Sequence, residues 1–219
     1  MSTTLTDLHQ RLSYRLAEDS VPATSGSEWN RRTQFINEAY RSIIRKHYWW
    51  WTEASDTFNS VANQASYGTA DGFPSDIRGS SILELRFDGK LYQPALQSET
   101  MNLENDDYSG MSERYMVFNH RLYPLPAYPS SGTDNIAIKY YKIPAALSSG
   151  SDTIAIPDEY ADILVAFALG RIQAQDSKRG SAADSYDEYK EIYNEMVEEQ
   201  KAYLFALKAD TSDYSALFE

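Results

Sequence analysis

The sequence has no cysteine, so it can form neither a disulfide framework nor a thiolate zinc site, as suits a chain that folds in a cytoplasm. Histidine is scarce too. His9, His47 and His120 lie far apart and share no short ligand spacing, which gives a metal centre no support. Cationic charge is in deficit: Lys+Arg 20 against Asp+Glu 32 leaves a formal net charge of -12. A nucleic-acid binder needs the opposite balance to displace counterions from phosphates. An acidic surface can still sit beside DNA that has to pass without sticking. No apolar run is long enough to cross a bilayer, and the opening MSTTLTDLHQRL has no charged-then-apolar signal layout. The phosphate loop G-x-x-x-x-G-K-[ST], the dinucleotide loop G-x-G-x-x-G and the nucleophile elbow G-x-S-x-G are all missing. The sequence therefore predicts no catalytic residue, no metal and no cofactor.

What is present is a folding composition, 42% hydrophobic and 13% aromatic, well away from the disordered class. Seventeen tyrosines supply broad contact area with a polar tip, which suits subunit surfaces as well as an ordinary core.

The most organised stretch is 27–51, SEWNRRTQFINEAYRSIIRKHYWWW. Trp29, Phe35, Ile36, Ala39, Tyr40, Ile43 and Ile44 make one stripe at helical period, with Ser27 expected as N-cap. Trp49, Trp50 and Trp51 suit a strand better than a helix. Before this stretch, leucines at 5, 8, 12 and 16 predict a short helix over 4–18. Between 52 and 155 the helical period disappears. Strands are expected in WTEASDTFNSV and ASYG, in a hairpin turning at Asp88-Gly89, in another turning at Asn119-His120, and in NIAIKYYKIP. Helix returns at Pro157, which suits a first helical position, and runs to about 176. Gly170 inside it implies close approach of a neighbour. A last helix over 182–208 carries Tyr186, Tyr189, Tyr193, Met196, Gln200, Tyr203 and Leu207 at heptad spacing.

The predicted fold class is α+β: a four-helix bundle-like domain from 1–51 plus 156–209, an inserted antiparallel β-rich domain over 52–155, and a C-terminal tail over 210–219. In the tail Asp210, Thr211, Ser212 and Asp213 favour a loop, while Tyr214, Leu217 and Phe218 are apolar anchors.

Carboxylates are the only abundant candidates for catalysis. Glu188, Glu191, Glu195, Glu198 and Glu199 share one helix without a histidine, the pattern of a solvated face rather than a di-iron site. Trp49, Trp50, Trp51, Tyr189, Tyr193 and Tyr203 are candidates for core packing or for a subunit or domain interface.

Two patterns carry a resemblance. W-x-x-R-x-x-F-I-N-E-A-Y-R-x-I-I at 29–44 is followed by tryptophans, and I-P-D-E-Y-A-D-I-L-V-x-F-A-L-G-R stands at 156–171. Together they resemble the head-to-tail adaptor (connector) proteins of tailed bacteriophages. The resemblance implies a structural protein of the virion neck, made in the host cytoplasm. It also implies a homo-oligomeric ring, commonly of twelve copies, under the portal protein, with the tail or nozzle protein below and DNA passing through without sequence-specific binding. Such proteins extend a C-terminal segment onto the portal, which makes Tyr214, Leu217 and Phe218 the candidate docking residues. Two other classes compete: a carboxylate-based hydrolase acting on carbohydrate, and a monomeric carbohydrate- or protein-binding module.

Overall fold

A computed structural model describes residues 2–24, 26–95, 113–176 and 179–215, with backbone alone beyond 206. It is an α+β chain of four helices and six strands among the described residues. The helices are α1 (Leu5–Arg15), α2 (Ser27–Lys46), α3 (Asp162–Gln175) and α4 (Arg179–Ser215). The strands are β1 (Glu53–Ser60), β2 (Ile77–Phe87), β3 (Lys90–Pro94), β4 (Arg114–Phe118), β5 (Arg121–Leu125) and β6 (Gly132–Lys142). Two compact units result: Met1–Trp51 with Ala145–Glu219, and Thr52–Pro144.

In the helical unit α1 starts on a capping box. Thr4 accepts from the Asp7 backbone N–H, while the Asp7 carboxylate accepts from the Thr4 N–H. Those bonds hold the Asp7 carboxyl below the usual carboxylate range. Backbone bonds from Leu5 to Asp152 (2.8 Å) and from Thr6 to Gly150 (3.0 Å) tie this end to the chain leading into α3. Leu5, Leu8 and Leu12 are fully buried.

The stripe on α2 is core as expected: Trp29, Phe35, Ile36, Ala39, Tyr40, Ile43 and Ile44 are all buried. The expected cap is displaced by one residue. Gly26 is the N-cap, makes no side-chain bond, and Ser27 is already helical.

The helix at the centre, however, is α3. It touches α1, α2 and α4 and buries Ile163, Leu164, Val165, Ala166, Ala168, Leu169, Gly170 and Ile172. A helix apolar nearly all round must be covered on several sides. One hydrophobic core accordingly draws on all four helices. Pro157 does not open α3 directly; it precedes a 3-10 turn, Asp158–Tyr160. Gly170 makes room for α4, since a Cβ there would stand 3.1 Å from the Tyr186 ring.

The strand expected from the tryptophans does not form. Trp50–Thr52 is a 3-10 turn and β1 begins at Glu53. Instead the Trp49 indole folds back and donates to the Ile43 carbonyl in the last turn of α2 at 2.8 Å, and the Trp50 N–H donates to Gln200 on α4.

The second unit is a curled six-stranded sheet in the order β1-β6-β2-β3-β4-β5. Both expected hairpin turns are present. Asp88 and Gly89 have φ of 52° and 80°, and Asn119 and His120 have 48° and 55°, the left-handed pairs that a two-residue hairpin needs. Two expectations fail. The sheet is not wholly antiparallel, because β3 and β4 run parallel through Gln93–Arg114 and Pro94–Tyr115. The stretch between these strands is long enough for the crossover that parallel neighbours require. The segment ASYG is no strand either; Tyr67 alone exchanges both backbone bonds with Leu122, at 2.8 and 2.9 Å. Tyr67 also joins Phe58, Phe73, Phe87 and Tyr92 in the aromatic core of this unit. Gly72, at φ 96°, lets the chain pass where a Cβ would stand 2.7 Å from Phe58 Cβ.

Ile36 and Ile43 are each 0% exposed. An unpaired buried carboxylate costs several kcal/mol against a total stability of about 5–15 kcal/mol. Ile36→Asp and Ile43→Asp are each expected to abolish the cooperative thermal transition in circular dichroism.

Candidate interaction surface

At 37 residues, α4 is about 55 Å long, and its two ends are built differently. From Ala182 to Gln200 the heptad seam faces the core. Ala182, Ser185, Met196 and Gln200 are buried, and Tyr186, Tyr189 and Tyr193 are half-buried. Tyr189 lies 5.5 Å from the Phe167 ring and 6.2 Å from Tyr193. The Tyr193 hydroxyl meets His47 Nε2 at 2.9 Å, and Lys46 Nζ sits 4.3 Å above its ring. Burial raises both tyrosine pKa values above the usual phenol value.

Gln200 is the last buried position on α4 among the residues whose side chains are described. Its Oε1 accepts from the Trp50 N–H at 3.0 Å, and its buried Nε2 has no partner among the described residues. Beyond it Lys201, Ala202, Leu204, Phe205 and Ala206 are exposed and Tyr203 is half-buried. Phe205 is 75% exposed. The helix nevertheless continues to Ser215, past the end at 208 that the sequence predicts and through the expected loop residues Asp210–Asp213. Exposed apolar side chains on a helix that has left its own core form a surface suited to a partner.

The sequence-predicted interface residues divide between core and surface. Trp49 is fully buried, and Trp50 and Trp51 are half-buried against the helical core. Tyr189 and Tyr193 also pack there. Tyr203 stands at the point of departure. The Tyr214 side chain, Leu217 and Phe218 lie outside the described residues.

The carboxylates of α4 are mostly ion-paired or hydrogen-bonded. Glu188 takes Arg15 Nη1 at 2.7 Å, Asp187 takes Lys190, Glu198 takes Lys201, and Glu199 accepts from the Tyr160 hydroxyl. Among the described residues no three metal-ligating side chains converge.

Two features escaped sequence reading. The first is Arg32, 2% exposed, which donates to Glu28 (2.8 Å), Glu18 (2.5 Å) and Ser13 Oγ (2.9 Å). Glu28 four residues upstream was the available signal. Beside it His9 is fully buried, stacked on Trp29 with ring centroids 3.6 Å apart, and bonded through Nε2 to Thr33 at 3.0 Å. The second is an open groove along α2, lined by Asn37, Glu38, Arg41, Ser42, Arg45 and Lys46 among others. The cations at 41, 45 and 46 were its signal, hidden by the acidic total.

Burial, with the charge of Arg32 as a second cause, pushes the His9 pKa down to about 4. A group whose folded value lies below its unfolded value of about 6.5 is neutral in the fold and protonates more readily when unfolded. Its contribution is complete above pH 6.5 and is lost as pH falls from 6.5 towards 4. Chemical denaturation at pH 5 should therefore give a stability about 2 kcal/mol below that at pH 7.5, and His9→Asn should flatten this window. Asp7, Asp152 and Asp158 have depressed values, so they lose their share at lower pH and leave the window to His9.

The family model described as SU10 adaptor protein matches residues 3–212. No curated protein matches the chain.

Proposed function

The chain belongs to the SU10 adaptor family, a structural family of bacteriophage head-to-tail adaptors, and from that premise we propose that it builds a ring in the virion neck. In this reading copies of the chain assemble beneath the portal protein, commonly twelve to a ring. DNA passes through the middle without sequence-specific binding, and the tail or nozzle protein attaches below. The observation that carries the reading is the span of the family match, which takes in the helices, the sheet and most of α4. The acidic total supports it, since a net charge of -12 lets DNA slide past a surface rather than adhere.

The four helices act as one bundle that holds α4 at its base, and the part of α4 beyond Gln200 reaches for the neighbouring ring. Exposed Leu204 and Phe205 begin that reach, and the apolar residues Tyr214, Leu217 and Phe218 complete it on the portal. Burying Leu217 and Phe218 could each contribute about 1.5–3 kcal/mol before ordering costs. No catalysis is assigned to the chain.

Electron microscopy of the purified protein, alone and with portal-bearing heads, tests the ring directly. Deleting residues 210–219 should leave the melting temperature unchanged, because Gln200 is the last buried position of α4 among the described side chains. The same deletion should abolish attachment to portal-bearing heads. A truncated protein that attaches with full affinity would remove this segment from the docking surface.

A further inference from the structure

His9 stands near the middle of α1, fully buried against α2. Its ring lies flat on Trp29 and its Nε2 meets the Thr33 hydroxyl, while the buried Nδ1 has no partner among the described residues. A neutral imidazole tolerates this, because one nitrogen can remain an acceptor without a donor. An imidazolium does not. Both nitrogens then carry protons, and Nδ1–H becomes a buried donor of a charged group with nothing to receive it.

The charged groups around His9 do not offset that cost. On α2 Arg32 adds a like charge, and the carboxylates of Glu18 and Glu28 are bonded to its guanidinium rather than to His9. On α1 itself Asp7 is held by Thr4, and Arg11 and Arg15 are paired with Asp162 of α3 and Glu188 of α4. In the chain before α3, Asp152 accepts from Ser148 and Ser149, and Asp158 accepts from the Thr3 N–H. Protonation in place is therefore resisted, and His9 takes a proton readily only once it is uncovered.

The helix that carries it is built to leave. At 11 residues it is below the length at which a helix stands alone in water, so it depends on its contacts. Its ion pairs are partly exposed and hold it weakly. The joint behind it is already under strain: Ala17 has φ of 57°, a left-handed backbone that is unfavourable for an L-residue, and residues 17–20 are exposed. What it covers is apolar, since Leu5, Leu8 and Leu12 share one core with Trp29 and α3.

We propose that α1 is an acid-released cover, which lifts off α2 and α3 when His9 takes up a proton while the rest of the helical core stays folded. Release exposes the Trp29 ring and an apolar side of α3, a hydrophobic surface that the protein does not show at neutral pH. The covered His9 has a value of about 4 and the uncovered one about 6.5. The open form therefore gains up to tenfold per pH unit as pH falls from 6.5 towards 4. Asp7, Asp152 and Asp158, whose values are depressed in the fold, add to release only below that window.

Amide hydrogen exchange of the full chain, normalised to the intrinsic rate at each pH, tests the proposal. Amides of α1 from His9 to Arg15 should exchange faster than those of α3 at every pH, and their normalised rate should rise roughly fiftyfold between pH 7 and 4.5. In His9→Asn, which cannot take the proton, that rise should be flattened. A rise in His9→Asn as large as the parent's would overturn the proposal, as would α1 amides in the parent that show no rise. If His9→Asn fails to fold, the parent decides alone. Equal rates and equal slopes in α1 and α3 would mean a single global unfolding and no separate cover, whereas a faster α1 with the expected slope would establish it.

Discussion

The absence of a polar face on α3 is the constraint that the helical unit answers. Most helices in a small unit need cover along one stripe and solvate the rest. With Ile163, Leu164, Val165, Ala166, Leu169 and Ile172 distributed around it, α3 requires cover from several directions, and α1, α2 and α4 each supply some of it. Other details follow from that demand. Gly170 has no side chain because the Tyr186 ring occupies the space. The start of α1 is fastened by backbone bonds to Gly150 and Asp152, which fixes the chain entering α3. Arg32 is buried because α1 and α2 close over it, and only a fork of donors that meets Glu18, Glu28 and Ser13 at once makes that tolerable.

Much of the fold was legible because its signals are local. The stripes on α1 and α2 are simple periodicities, and the turns at Asp88-Gly89 and Asn119-His120 need only two residues with left-handed backbone. Gly170 was readable as a close approach. What was not legible depended on distant partners. Three tryptophans in a row read as a strand by propensity, yet bonds to the Ile43 carbonyl and to one buried glutamine, Gln200, hold them against the helical core. Tyr67 reads as part of a strand but finds a single partner in Leu122. The parallel pairing of β3 with β4 has no local signature at all.

The candidate surface was half legible. The tyrosine seam announced that α4 packs on something, and its buried portion does pack on α3. The point where packing stops could not be read, since the sequence past Gln200 keeps a helical pattern with Tyr203 and Leu204 in place. Polar residues at 210–213 suggested a stop by their competition for backbone hydrogen bonds, whereas the helix runs on to Ser215. A helix already nucleated by four buried turns extends at little cost, because each added residue gains a bond without a new nucleus.

That extension sets two surfaces of different chemistry along one helix. The buried seam of α4 is occupied by its own core, so contacts with other molecules fall to its solvent face and its distal end. These two regions differ in chemistry: the face is acidic up to Glu198, and just beyond it Leu204 and Phe205 expose apolar side chains. Charge pairs steer association and fix register, but they weaken with salt and favour reversible contact. Buried apolar anchors give affinity that salt does not screen. A contact made through the apolar end would therefore survive salt that weakens any contact made through the acidic face. The same helix carries both because its last buried position among the described side chains is Gln200, while its backbone runs on to Ser215.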